Sequence, residues 1–236
     1  MRTSTARNTQ QKAAIISGAA LLIMTVSAFF SYGYVHSSIV INGDGLTTLK
    51  NIQASGSLFK LEIIGWIVII MMDLLVAWGF YIFLKPFQRK HALIVGLLRL
   101  LYTAMLGIAV SHLVIVNNTV AKASFGEPVD RAASQIMLSF ASFESIWSMG
   151  LIIFGLHLII TGFVACKSNQ VPKLISRLVV VAGFSYTLVH VMYQLIPQLD
   201  RLTGILETIL IIPMFFGELG FGIWLLAKGR KLPSAD

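Results

Sequence analysis

The sequence predicts an all-α fold: a polytopic membrane bundle of six transmembrane helices with both termini in the cytoplasm. Three observations predict it. Six apolar stretches, each long enough to cross a hydrocarbon core of roughly 30 Å as a helix, take up most of the 236 residues. Hydrophobic residues make up 56% of the chain and charged residues only 12%, against about 25% charged in a soluble domain. Lys and Arg also alternate from one connection to the next, rich on one side and sparse on the other. No connection is long enough for a domain of its own, so residues 1–236 read as a single membrane domain.

The first span, 13–35, follows Arg2, Arg7 and Lys12 and contains Val26-Ser27-Ala28, as a cleaved signal peptide would. Its apolar run continues through Phe29 and Phe30 to Val35, past the roughly 7–15 residues of a signal-peptide core, so it reads as a retained helix. After Asn42-Gly43-Asp44, the spacing of Leu46, Leu49 and Ile52 predicts a short surface helix, closed by Ser55-Gly56-Ser57. Interfacial padding is the plainer role for it, and a lid the alternative. The second span, 58–84, ends at Lys85, Arg89 and Lys90. The third, 92–116, leads to Asn117-Asn118-Thr119, a glycosylation acceptor pattern that matters only in a secretory pathway. Ala132, Ile136, Phe140 and Phe143 recur at helical spacing before the fourth span, 145–166, which predicts a helix that starts outside the bilayer. Lys167, Lys173 and Arg177 then lead to the fifth span, 174–196, and Arg201 precedes the sixth, 203–227. Lys228, Arg230 and Lys231 follow it.

Twelve of the eighteen Lys and Arg thus fall on one side, three per segment. The positive-inside rule makes that side the cytoplasm of a cell (inner, cytoplasmic) membrane. The same sorting accounts for the net charge of +8, because the positive charge is spread over short turns beside lipid headgroups. Nucleic-acid binding needs a clustered basic patch or a recognisable fold, so the expected partner is the lipid bilayer and no nucleic acid. Cys166 stands alone, which excludes an intrachain disulfide and a zinc ribbon. The chain has no phosphate-binding lysine loop, no HExxH and no serine elbow. Gly217-Glu218-Leu219-Gly220-Phe221-Gly222 lies inside a span with no strand before it, so it is no nucleotide loop; its glycines let helices approach closely in lipid.

Nine ionisable side chains lie in or at the edges of the spans: Glu62, Asp73, Arg99, His112, Glu144, His157, His190, Glu207 and Glu218. A charge at the bilayer centre costs roughly 2.5–3.5 kcal/mol on insertion scales, so such groups face partners, cavities or pathways. At about 1.5 Å per residue from the cytoplasmic span ends, Asp73 is about 16 Å deep, Arg99 about 10 Å, and His157 and Glu218 about 14 Å. Four helices therefore bring one cation, two acids and one histidine to nearly one level, a candidate buried polar core. Glu62, His112, Glu144, His190 and Glu207 form a second, outer collection. Glu62 and Asp73 are eleven residues apart, as are Glu207 and Glu218, and about three turns place each pair on one helix face. The plainer alternatives are a structural ion pair for Arg99, headgroup contact for the outer acids, and hydrogen-bonded packing for His112 and His190.

Several short motifs carry a family resemblance. They are Ser57-Leu58-Phe59-Lys60-Leu61, Met72-Asp73-Leu74-Leu75, Leu84-Lys85-Pro86, Leu98-Arg99-Leu100, Phe154-Gly155-Leu156-His157, Gly217-Glu218-Leu219 and Trp224-Leu225-Leu226-Ala227-Lys228-Gly229. In that order and spacing, from about Ala13 to Gly229, the chain resembles a bacterial integral membrane family known as domain of unknown function 4386. The resemblance implies a membrane location and puts Asp73, Arg99, His157 and Glu218 on family motifs, but it implies no activity. His112, His190 and Glu207 match none of these motifs.

The polar core makes small-molecule or proton-coupled transport the first functional expectation, with a small-molecule ligand as partner. The second is a membrane-embedded enzyme in which His112, His190 and nearby carboxylates bind zinc, iron or a haem. The third is a non-catalytic structural or sensing bundle. No cofactor, metal ligand set or oligomeric state follows from the sequence.

Overall fold

The structure, a computed structural model, describes residues 2–126, 128–168 and 170–229, with side chains from residue 8 onward. Arg230 and Lys231, which enter the charge sorting above, lie outside the described residues, as do the side chains of Arg2 and Arg7. Among the described residues every regular element is helical. Helix α1, Arg2–Ala28, continues as a π-helical stretch, Phe29–His36, and a last turn, Ser37–Ile39. The short α2 is Gly45–Ala54, followed by α3 Gly56–Leu84, α4 Arg89–Ala123, α5 Val129–Lys167, α6 Lys173–Leu195 and α7 Asp200–Lys228. Six helices are long and apolar enough to cross a membrane, and the protein is a multi-pass membrane protein.

The helices outrun the apolar stretches that announce them. Hydropathy marks what lies in hydrocarbon, whereas capping and chain-breaking residues set where a helix stops. Helix α4 passes the expected end at Val116 and stops at Ala123, before Gly126 in the left-handed region (φ 106°) and Pro128. Helix α5 begins at Val129, with Asp130 in its first turn, and takes up the Ala132–Phe143 repeat. The first helix passes Val35 as well. The Ser37 amide donates to the carbonyl of Tyr32, five residues back, and the chain turns extended only at Val40. Ser37 and Ser38 help close it by donating to the Gly33 and Val35 carbonyls at 2.7 and 2.8 Å. His36 therefore lies inside the helix.

The chain divides into two compact units. The first comprises Met1–Ile23, Met72–Thr103 and Ser148–Asp236; the second comprises Met24–Met71 and Ala104–Trp147. In the first, small residues bring backbones into contact. A Cβ on Gly155 of α5 would sit 2.6 Å from the Gly183 carbonyl oxygen of α6, and a Cβ on Gly183 would sit 2.6 Å from that of Gly155. Phe80, Phe83, Phe221 and Leu225 of this unit are buried, none more than 1% exposed, and Phe221 packs edge-on against Phe80 and Phe83. Gln10 of α1 donates to the Phe83 carbonyl at 2.9 Å.

In the second unit the predicted short helix forms as α2. Gly43 takes the left-handed turn (φ 79°), and Asp44 caps the helix by accepting from the Thr47 amide at 2.9 Å and its hydroxyl at 2.7 Å. Leu49 and Ile52 are buried, each 1% exposed, while Leu46 stays exposed. The buried face rests on protein: the Ala133 carbonyl of α5 lies 2.7 Å from where a Cβ on Gly45 would be. Asn51 donates to the Ile39 carbonyl at 3.0 Å, satisfying a carbonyl that the end of the first helix leaves open.

Candidate functional site

Arg99 of α4 is fully buried, with 0% exposure, and three other helices of the first unit supply its partners. Asp73 of α3 accepts through Oδ1 from Nε at 2.6 Å and pairs with Nη2 at 2.5 Å. Glu218 of α7 accepts through Oε1 from Nη1 at 2.5 Å. His157 of α5 places Nε2 3.4 Å from the same Nη1, and its Nδ1 lies 2.9 Å from the Val95 carbonyl. A carbonyl can only accept, so Nδ1 carries the ring proton and Nε2 presents its lone pair to the guanidinium. The Phe154 ring covers the guanidinium at 5.0 Å. Phe80 and Phe154 both stack on the His157 imidazole, at 5.8 and 5.9 Å. These are charge-assisted hydrogen bonds in a fork geometry that arginine suits and lysine does not.

The four polar-core residues named from depth are thus in direct contact, and Arg99 pairs with both acids. The accounting leaves one negative charge over: one guanidinium faces two carboxylates. Asp73 is 0% exposed and its Oδ2 has no hydrogen-bond partner. The Glu218 side chain is 18% exposed.

The outer collection divides. His190 and Glu207 belong to the first unit. His190 Nδ1 lies 2.9 Å from the Ser148 hydroxyl and its ring stacks on Tyr186 at 6.2 Å. Glu207 accepts from the Tyr193 hydroxyl at 2.7 Å. His112, on α4, is half-buried and forms no ion pair among the described residues.

Glu62 and Glu144 belong to the second unit, where they meet His36, a residue absent from the sequence-derived set. His36 Nδ1 lies 2.8 Å from Oε1 of Glu62, and Nε2 lies 3.8 Å from Oε1 of Glu144. Tyr32, one turn earlier on the π-helical stretch, stacks on the imidazole at 5.0 Å, and Phe140 of α5 meets it edge-on at 5.4 Å. Trp66, Phe143 and Trp147 pack against one another at 5.0–5.8 Å, with Trp147 edge-on to Tyr32 at 4.9 Å and Phe143 5.9 Å from His36. His36 escaped notice because the apolar run stops at Val35. The signal that could have found it is the pair Ser37-Ser38, whose back-bonding hydroxyls extend the helix past the hydropathy boundary. Among the described residues no three His, Cys, Asp or Glu side chains converge so as to hold a metal ion.

Residues 16–229, a stretch that contains both clusters, match the family described as Domain of unknown function (DUF4386). The chain belongs to this family. A curated relative of this DUF4386 member, an uncharacterized protein from Archaeoglobus fulgidus, is 29% identical over 171 residues, covering 72% of this chain and 85% of that protein. No solved structure matches the chain. Family membership leaves function to be argued from the two clusters.

Proposed function

We propose that this DUF4386 member is a proton-coupled transporter of a small solute, with Asp73, Arg99 and Glu218 as its proton-binding site. The carrying observation is the two carboxylates on one buried guanidinium. In a low-dielectric interior an unbalanced charge is costly, so one proton or one cationic solute completes the cluster. Asp73 Oδ2, buried and without a hydrogen-bond partner, is where a proton completes it. Glu218, 18% exposed, is the acid that solvent or solute reaches. His157 supports the arrangement as a neutral ring, accepting from Arg99 without adding charge. The alternating Lys and Arg support a cytoplasmic-membrane location with both termini inside.

Proteoliposomes loaded with a pH-sensitive dye and exposed to a panel of small amino acids, sugars, carboxylates and amines test this reading. At least one solute drives a dye response that Asp73→Asn abolishes in folded protein. No response across the panel, or an unchanged response in Asp73→Asn, rejects it. A purely structural cluster differs in the solute response, which Asp73→Asn then leaves intact whatever it does to thermal stability.

A further inference from the structure

The second unit holds a cluster that the transport reading does not use. His36 stands between two carboxylates, with one ring nitrogen toward each. Glu62, on the Nδ1 side, is 0% exposed, while the Glu144 side chain, on the Nε2 side, is 47% exposed. A buried acid is thus joined to a half-exposed acid through one imidazole. Titratable groups facing His36 are Tyr32 from its own helix, Glu62 from α3 and Glu144 from α5. Helix α4 brings His112 and Lys122 to this unit, α2 brings Lys50, α3 Lys60 and α5 Arg131, which is exposed. None of these pairs with Glu62 or Glu144 among the described residues, and no fixed cation balances the triad. Four buried polar atoms here have no hydrogen-bond partner: His36 Nε2, Glu62 Oε2, Trp66 Nε1 and Trp147 Nε1. Buried polar atoms of a folded protein are ordinarily paired, so four in one aromatic cluster mark a place where hydrogen bonding is left open.

We propose that Glu62, His36 and Glu144 form a reversible proton-binding relay, in which Glu62 stores a proton that reaches it only through the imidazole. In the loading step the Glu144 carboxyl gives its proton to His36 Nε2 while His36 Nδ1–H passes its own to Glu62 Oε1. One O–H and one N–H bond break, and one N–H and one O–H bond form. Glu144 becomes a carboxylate, Glu62 a carboxylic acid, and the ring stays neutral with its proton moved from Nδ1 to Nε2. Unloading is the reverse and restores the starting tautomer, so no ring flip is needed. That matters, because Tyr32 and Phe140 clamp the imidazole. The 3.8 Å gap at Nε2 closes by rotation of the exposed Glu144 side chain or through one water.

Infrared spectroscopy on purified protein in nanodiscs tests the relay without any transported solute, so its failure and the failure of the transport reading are separable. Glu62→Gln identifies the Glu62 carboxylic-acid band in difference spectra recorded across a pH series. The rate at which that band shifts after a jump into deuterated buffer reports proton access. His36→Phe and His36→Gln slow the shift by about a hundredfold, the low end of what a positioned proton-transfer group contributes. Glu144→Gln slows it less, because a water that takes the place of this half-exposed side chain can hand a proton to Nε2 in its stead. Backbone amide exchange stays unchanged in all three, a result that a general loosening of the fold would not give. The relay is overturned if either His36 variant exchanges as fast as wild type, or if Glu62 shows no acid band at any pH at which the protein is folded.

Discussion

The two clusters share a plan and differ at its centre. In the first unit Arg99 stands between Asp73, fully buried, and Glu218, 18% exposed. In the second, His36 stands between Glu62, fully buried, and Glu144, 47% exposed. Helix α3 supplies the buried acid of both. Arginine keeps its charge at any pH a protein survives, whereas histidine gains and loses a proton near neutrality. The Arg99 cluster is therefore held by a permanent cation and is stiff, with hydrogen bonds of 2.5–2.6 Å. The His36 cluster is held by one good contact of 2.8 Å and one loose one of 3.8 Å. With arginine at the centre of two acids only the acids can take up a proton, whereas with histidine the centre itself can pass one on.

The largest test of that contrast replaces the central residues. Arg99→Met leaves Asp73 and Glu218 without their cation and costs about 3–5 kcal/mol, the range for removing one partner of a buried pair. His36→Gln costs about 1–3 kcal/mol, the range for an unsatisfied buried hydrogen-bonding group. Thermal unfolding in detergent reads both, and equal losses would erase the distinction between a permanently charged centre and an imidazole.

Next come the close helix contacts within each unit. A Cβ on Gly155 meets backbone of α6, Gly183 O at 2.6 Å and Thr187 N at 2.8 Å, and backbone cannot swing aside. Gly155→Ala is expected to cost about 1–3 kcal/mol by overpacking and to disturb His157, two residues along. Gly65, in the second unit, faces chiefly the Ser31 hydroxyl, the movable end of a side chain. Gly65→Ala is expected to cost less than Gly155→Ala, and the reverse order in the same unfolding assay would show the second unit to be the more rigid.

A smaller effect separates the acids. Glu144→Gln, at a half-exposed position, stays within about 0.5 kcal/mol of wild type, whereas Asp73→Asn is clearly destabilised. Comparable losses for the two would mean that Glu144 is tied down as firmly as Asp73.

The smallest effect is at the cap of α2. The Thr47 hydroxyl and amide hold the Asp44 carboxyl below its usual range. Its folded value is depressed, so its contribution is present above the ordinary carboxylate range and fades as pH falls through that lower value. Asp44→Ala frays α2 at neutral pH, read by amide exchange over Gly45–Ala54, and wild type and variant converge in acid.

Much of this was legible along the chain, for a physical reason. Burying a charge in lipid is costly wherever it occurs, so Asp73, Arg99, His157 and Glu218 stand out against apolar neighbours, and a constant rise per residue puts them at one depth. That logic has no means of pairing residues sideways. It grouped Glu62, His112, Glu144, His190 and Glu207 as one outer collection, although Glu207 bonds Tyr193, His190 meets Ser148, and only Glu62 and Glu144 share a partner. It also missed that partner, because hydropathy ends the first span one residue before His36.

By itself, then, the sequence determined the helical class, the six apolar helices and the four polar-core residues. These rest on local quantities: hydropathy, periodicity and the cost of a buried charge. Only the tertiary structure decided which helices meet, that one guanidinium serves two acids, and that a π-helical continuation carries an imidazole between Glu62 and Glu144. Those depend on backbone approach and helix winding, set by contacts between residues far apart in the chain.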